Sequence, residues 1–260
     1  MMRLTILGSG TSVPHARRAA SAYWLETSSG MVLLDAGADA AHRAAEENLA
    51  WAELDAIWIS HFHLDHIGGL PALLFGTKYA RETQSRRKPL TVFGPGGLRK
   101  LIEAFDAANE YNLLKQPFPL EIREIAPGEE FEILPNIKAQ TFSTPHTSES
   151  LALRIEDERG ASFVYSSDTG YTDALAGFAR RADLFLLECS FPSNKPVETH
   201  LELEEACKLA RDSGARRTIL VHLYPDWDEV DFETEVKKHF NGAISLGFDG
   251  MKAEIEFLAD

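Results

Sequence analysis

The chain has 260 residues, 44% of them hydrophobic and 25% charged, with a formal net charge of −14 and a pI near 5.1. This is the composition of a globular protein with a sizeable core. No apolar run reaches the ~20 residues of a membrane span, and a globally acidic field repels long polyanions.

Taken in order, "RLTILG" reads as a strand and "AYWLETSSGMVLLDAG" as a hairpin turning at Ser28–Gly30. The apolar part of the N-terminus is too short for a signal peptide, so a cytoplasmic protein is expected. A helix is expected over 38–49, a strand in "LDAIWIS", a helix over 67–75, a strand in "LTVFGP" and a helix in "GLRKLIEAFDAA". The middle is β-rich: "LEIREI", "EFEIL", "IKAQTFSTPH", "SLALRIED" and "SFVYSSDTG". From 171 helix and strand alternate, through "TDALAGFARRA", "DLFLLECS", "LELEEACKLARDSG", "RTILVHLYP" and "VDFETEVKKHF", to strands near 243–247 and 252–258. The pattern is two halves, each β-rich and then α/β, meeting somewhere in 120–190 without a linker. Two sheets packed face to face with helices outside would bury it in a single domain over 1–260.

The chemistry concentrates in "SHFHLDHIGGL" at 60–70, which holds His61, His63 and His66, three of nine histidines, together with Asp65. The two cysteines, Cys189 and Cys207, offer neither a disulfide framework nor a Cys-built zinc site. The other candidates also follow strands: His146 after "KAQTFSTP", Asp168 after "SFVYSS", His222 after "TILV". Strand ends on one rim bring distant residues together. In His61-X-His63 both imidazoles point to one side, while Asp65–His66 turns away as a helix begins. Ligands offered in two directions suit two neighbouring ions, and zinc accepts imidazole and carboxylate together. Two zincs bridged by a hydroxide supply a nucleophile at neutral pH and clamp the displaced oxygens.

These motifs resemble those of the metallo-β-lactamase superfamily. "SHFHLDHIGGL" is similar to its signature, "LGSGTSVP" resembles the opening of ribonuclease Z-like members, and "LLDAG" resembles the motif whose Asp, here Asp35, braces the metals. "TPHTSESLALRI", "SSDTGYTDAL" and "VHLYP" match the later motifs at His146, Asp168 and His222. The resemblance implies an α/β fold, the four-layer αββα sandwich, with a two-metal site. It assigns His61, His63 and His146 to one ion, Asp65, His66 and His222 to the other, and Asp168 to both. Position 63 is His where the oxygen-reducing diiron branch carries Glu, which favours two Zn2+ ions; such donors also accept Mn2+ or Fe2+.

His200, in "VETHLELEEA", matches the ribonuclease Z histidine that faces the scissile phosphate, and Glu188, in "LLECSF", the carboxylate that orients it. Asp65, His200 and Glu188 are thus the expected catalytic set, with Asp65 also a ligand. His15, His42 and His239 lack partner motifs and are read as solvated, with His15 on a loop that could edge the site. Ribonuclease Z grips tRNA with a long arm between the His146-type and Asp168-type motifs; here only residues 147–167 lie between them, room for a hairpin.

The expected function is a binuclear zinc phosphodiesterase acting on a small anionic phosphodiester. Long nucleic acid and membranes are not expected partners, and the resemblance admits a homodimer. The alternatives are a hydrolase of a lactone, thioester or sulfate ester, or a tRNA 3′-end endonuclease. The stretch 78–89, carrying Lys78, Arg81, Arg86, Arg87 and Lys88, is expected to overhang the cleft and attract the anion.

Overall fold

The structure, a computed structural model, describes residues 1–257. The first half contributes β1 (Met2–Gly8), β2 (Ala22–Thr27), β3 (Gly30–Leu34), α1 (Ala40–Glu46), β4 (Ala56–Trp58), α2 (Leu64–Ile67), α3 (Leu70–Tyr79), β5 (Leu90–Gly94), α4 (Leu98–Ala107) and β6 (Leu120–Glu124). The second contributes β7 (Glu130–Leu134), β8 (Ile137–Ser143), β9 (Leu151–Glu156), β10 (Ser162–Tyr165), α5 (Asp173–Phe178), β11 (Leu184–Glu188), α6 (Leu203–Ser213), β12 (Thr218–Val221), α7 (Phe232–Val236), β13 (Ile244–Leu246) and β14 (Lys252–Ile255).

The strands form two seven-stranded sheets, β14-β1-β2-β3-β4-β5-β6 and β13-β12-β11-β10-β9-β8-β7. The halves therefore meet between β6 and β7, and β14 crosses back to pair with β1. In each sheet three antiparallel pairings are followed by three parallel ones.

Side chains of a strand alternate between its faces, and this alternation builds four layers. Val32 and Leu34 join the core between the sheets while Leu33 packs outward; Leu184 and Leu186 face inward while Phe185 and Leu187 face outward. Helices α1, α3 and α4 cover the outer face of the first sheet through Ala44, Leu70, Leu74 and Ile102. Leu175, Leu203, Leu209 and Val236 from α5, α6 and α7 cover the second. This is the αββα sandwich expected from the motifs.

Some expectations shift. The helix expected over 67–75 is two helices, α2 and α3, separated at Gly68–Gly69. A Cβ on Gly69 would lie 2.2 Å from the Gly37 carbonyl oxygen. The Gly69 amide also donates to the Ala36 carbonyl at 2.8 Å. The glycine therefore lets the histidine motif sit directly on the loop that carries Asp35. The helix expected over 230–240 is only the five-residue α7, preceded by a 3₁₀ turn at Pro225–Glu229. The last strand ends at Ile255, and position 258 of the expected strand lies outside the described residues.

The basic stretch 78–89 does not overhang the cleft. Because β4 and β5 are parallel, the chain leaving the histidine motif must return to the opposite rim before β5 starts. There Arg86 is buried. Its guanidinium donates to the carbonyls of Ala52, Leu54, Lys88 and Pro89 at 2.6–2.8 Å and lies over the Phe118 ring. Lys88 pairs with Asp55 at 2.5 Å, and Lys78 donates to the carbonyls of Tyr111 and Asn112. These cations close a loop instead of drawing in an anion.

Candidate metal centre

The rim where β3, β4, β8, β10, β11 and β12 end carries Asp35, His61, His146, Asp168, Glu188 and His222 within a few residues of each strand's last position. The seven residues expected as ligands converge there in two groups. His61, His63, His146 and Asp168 offer donor atoms within 4.8 Å of one another, as do Asp65, His66 and His222. Asp168 links the groups. Its Oδ2 lies 3.2 Å from both His66 Nε2 and His222 Nε2, and 3.7 Å from both His61 Nε2 and His146 Nε2. His222 Nε2 is also 3.3 Å from Asp65 Oδ2, and His146 Nε2 is 3.0 Å from His63 Nδ1. Two atoms each bonded to one zinc at the tetrahedral angle stand about 3.3 Å apart, from bond lengths near 2.0 Å.

The far sides of these rings are fixed by hydrogen bonds. The buried Asp35 carboxylate accepts from Ser60 N and Ser60 Oγ, both at 2.7 Å, from His66 Nδ1 at 2.7 Å and from Tyr165 Oη at 2.6 Å. Ser60 gives its only proton to that carboxylate, so at 3.1 Å it accepts from His61 Nδ1. His146 Nδ1 donates to the Thr199 carbonyl at 2.8 Å. Each bond turns Nε2 inward. His61 Nε2 and His66 Nε2 are buried without a hydrogen-bond partner among the described residues. Inward-facing imidazole nitrogens around a carboxylate, left without hydrogen bonds, are the donor set a divalent cation needs; the residues fit metal ions.

The electrostatics differ from ring to ring. Burial pushes His61 and His146 below the ordinary imidazole range, which keeps their lone pairs available. Burial would raise Asp168 and lower His66, but their mutual attraction wins, helped at Asp168 by His222 and at His66 by Asp35. Asp168 is held well below the usual carboxylate range and His66 well above the usual imidazole range. Asp65 is likewise pulled down, since its hydrogen bond to His222 and the charges of His66 and His222 outweigh its burial.

Beside this cluster, His200 donates from Nδ1 to Glu188 Oε1 at 2.8 Å. Burial opposes its charge, yet the Glu188 bond and carboxylate raise it above the usual imidazole range. Buried Glu188 is itself held by the amides of Thr169, Ser190 and Leu201. His200 packs between the rings of His146, at 4.7 Å, and His222, at 5.2 Å. His15 is not solvated as expected: its Nε2 pairs with Asp228 at 2.7 Å, alongside Arg17 and Arg18. This cluster draws the Asp228 carboxyl down to about 2, the His15 bond contributing most. His42 is exposed beside Glu46, and His239 is half-buried away from the cluster.

Ser60, Tyr165 and Ser190 also hold the site, and nothing in the sequence marks them as doing so. All three sit in or next to quoted motifs, but a serine or tyrosine at a strand end carries no signal of which way it will donate.

The family described as "Beta-lactamase superfamily domain" matches residues 31–223. The ribonuclease Z of Methanosarcina acetivorans is 25% identical over 99% of each chain. The metallo-β-lactamase fold protein YhfI from Bacillus subtilis superposes with a TM-score of 0.81 at 23% identity, over 97% of this chain and 98% of that one. A diphosphatase from the PhnP family superposes with a TM-score of 0.76 at 24% identity over 100% of both chains. The protein thus belongs to the beta-lactamase superfamily, as a ribonuclease Z-like, metal-dependent hydrolase.

Proposed function

We propose that the protein is a single-domain binuclear zinc phosphodiesterase that hydrolyses a small anionic phosphodiester. The observation that carries this reading is the position of Asp168 Oδ2, 3.2–3.7 Å from four inward-facing imidazole nitrogens drawn from both groups. In it His61, His63 and His146 would hold one ion, Asp65, His66 and His222 the other, and Asp168 would serve both. When bound, two such ions polarise a phosphoryl oxygen and lower the pKa of water enough to make it a nucleophile at neutral pH. Asp65 takes up a proton from the attacking water. His200, oriented by its bond to Glu188, stabilises the negative phosphoryl oxygens and gives its proton to the leaving oxygen.

The small-substrate part rests on two further observations. A cleft of about 820 Å³ opens beside Leu64 and Asp65, lined by Arg17, Arg18, His42 and Arg43 and also by the carboxylates of Asp39, Glu46 and Asp249. That volume is within the range of small-molecule sites. Between His146 and Asp168 the chain makes only the β9–β10 hairpin, turning near Gly160. The Methanosarcina acetivorans relative is a ribonuclease Z. That relative's name favours the competing reading, cleavage of precursor tRNA. One experiment separates the two: zinc content with turnover of a small phosphodiester, a lactone, a sulfate ester and precursor tRNA, side by side. Two zincs per chain and preferred turnover of the phosphodiester are expected. Preferred cleavage of precursor tRNA would overturn the small-substrate reading, and preferred hydrolysis of another ester would overturn the phosphodiester reading.

A further inference from the structure

Ser190 stands where the metal cluster meets the His200–Glu188 pair. Its Oγ lies 2.9 Å from Glu188 Oε2, 3.0 Å from His222 Nδ1 and 3.1 Å from His200 Nδ1. The residue is fully buried, so water does not complete its bonding. A hydroxyl has one proton to give and two lone pairs to fill. An ionised carboxylate only accepts, so the Ser190 proton goes to Glu188 Oε2. Both lone pairs then face imidazole N–H groups, and the hydroxyl is saturated.

This arithmetic has a different meaning for each ring. His200 Nδ1 has a nearer acceptor in Glu188 Oε1, so Ser190 is its second partner. For His222 Nδ1, Ser190 is the only hydrogen-bond partner among the described residues. That bond fixes the proton on Nδ1 and leaves Nε2 facing Asp65 and Asp168 with its lone pair. His222 also has a left-handed backbone, φ 58°, which a non-glycine residue keeps only where its surroundings hold it.

Resting on the two-metal reading above, we propose that Ser190 is a positioning residue that ties the ligand His222 to the Glu188–His200 pair through one hydroxyl. The consequence is selective. Loss of Ser190 Oγ frees His222 and removes a donor from Glu188, but touches none of His61, His63 or His146.

The test compares the parent, Ser190→Ala and Ser190→Thr, each checked for folding by circular dichroism and thermal melting. Zinc affinities are read by competition with a chromophoric chelator. In Ser190→Ala one of the two affinities is expected to fall at least about tenfold, the usual scale for losing a partner behind a ligand, and the other to stay within about twofold. In the same variant kcat should fall about tenfold or more, with KM nearly unchanged. Ser190→Thr, which restores the hydroxyl, should recover both. Equal weakening of both sites, no weakening of either, or a Thr variant that binds zinc like the Ala variant would overturn the proposal. A parent that takes up fewer than two zincs would instead remove the two-metal reading, and this inference with it.

Discussion

His200 shows how one neighbour sets a side chain's task. Without Glu188 its burial would favour the neutral ring; with Glu188 it keeps a proton to higher pH. A step that needs the protonated ring slows as pH rises through its pKa. Glu188→Gln removes the charge that raises this pKa, so the alkaline fall in kcat should move to lower pH. His200→Ala should retain its metals and lose about a hundredfold in kcat, the scale of a positioned acid or charge stabiliser. The checks are a pH–rate profile and elemental analysis; an unmoved alkaline limb in Glu188→Gln would show that the Glu188 charge does not hold the His200 proton. Asp168→Ala, by contrast, should lose both metals and activity, because its Oδ2 faces both groups. Retention of two zincs in that variant would exclude the bridging assignment.

The loop between α3 and β5 is placed by the strand pairing that follows it. Five basic residues within 78–88 suggest an anion-steering surface. The parallel pairing of β4 with β5 instead sends them to the rim away from the cluster, where Arg86 ties four carbonyls together. Arg86→Ala should therefore cost about 2–3 kcal/mol of unfolding free energy, as carbonyls of a buried loop lose a charged donor. KM for a small phosphodiester should not change. Urea unfolding and steady-state kinetics on the same variant check both halves; a raised KM with parental stability would restore the steering role. The cations that do line the cleft come from α1 and from the loop between β1 and β2, which Asp228 holds through His15, Arg17 and Arg18.

Across the whole molecule, the centre is where the two sheets are joined. Tyr165 on β10 of the second sheet donates to Asp35 after β3 of the first, and the Leu151 amide donates to the Ser60 carbonyl across the same seam. Ions held by groups from both sheets would add to this joint. A ligand that binds only the folded state stabilises it by about 2.7 kcal/mol at a hundred times its dissociation constant. Stripping the protein with a chelator should therefore lower its melting temperature, and added zinc should restore it. Calorimetry of stripped and reloaded protein checks this; identical melting curves would show that the sheets do not depend on the ions.

The order of most strands and helices and the seven side chains facing the cluster were legible in the sequence. Strand and helix periodicity is local, and a His/Asp motif at a strand end is local too. Residues such as Ser60, Tyr165 and Ser190 were not legible, because a hydroxyl's partner depends on which distant segment stands opposite. The direction of the loop 78–89 was not legible for the same reason: charge is written in the sequence, but the rim it reaches is set by whether β5 pairs parallel or antiparallel with β4. Nor did the motifs mark the left-handed backbone at Asp35, Ser167 and His222, each a non-glycine residue at φ 56–58° beside the cluster. Their strain is sustained by long-range contacts. The sequence by itself determined which chemical groups are present and which strand end carries each. The tertiary structure decided which far-apart hydroxyls and carboxylates lock those groups in place, because hydrogen bonds of that kind form only after the two sheets have closed on one another.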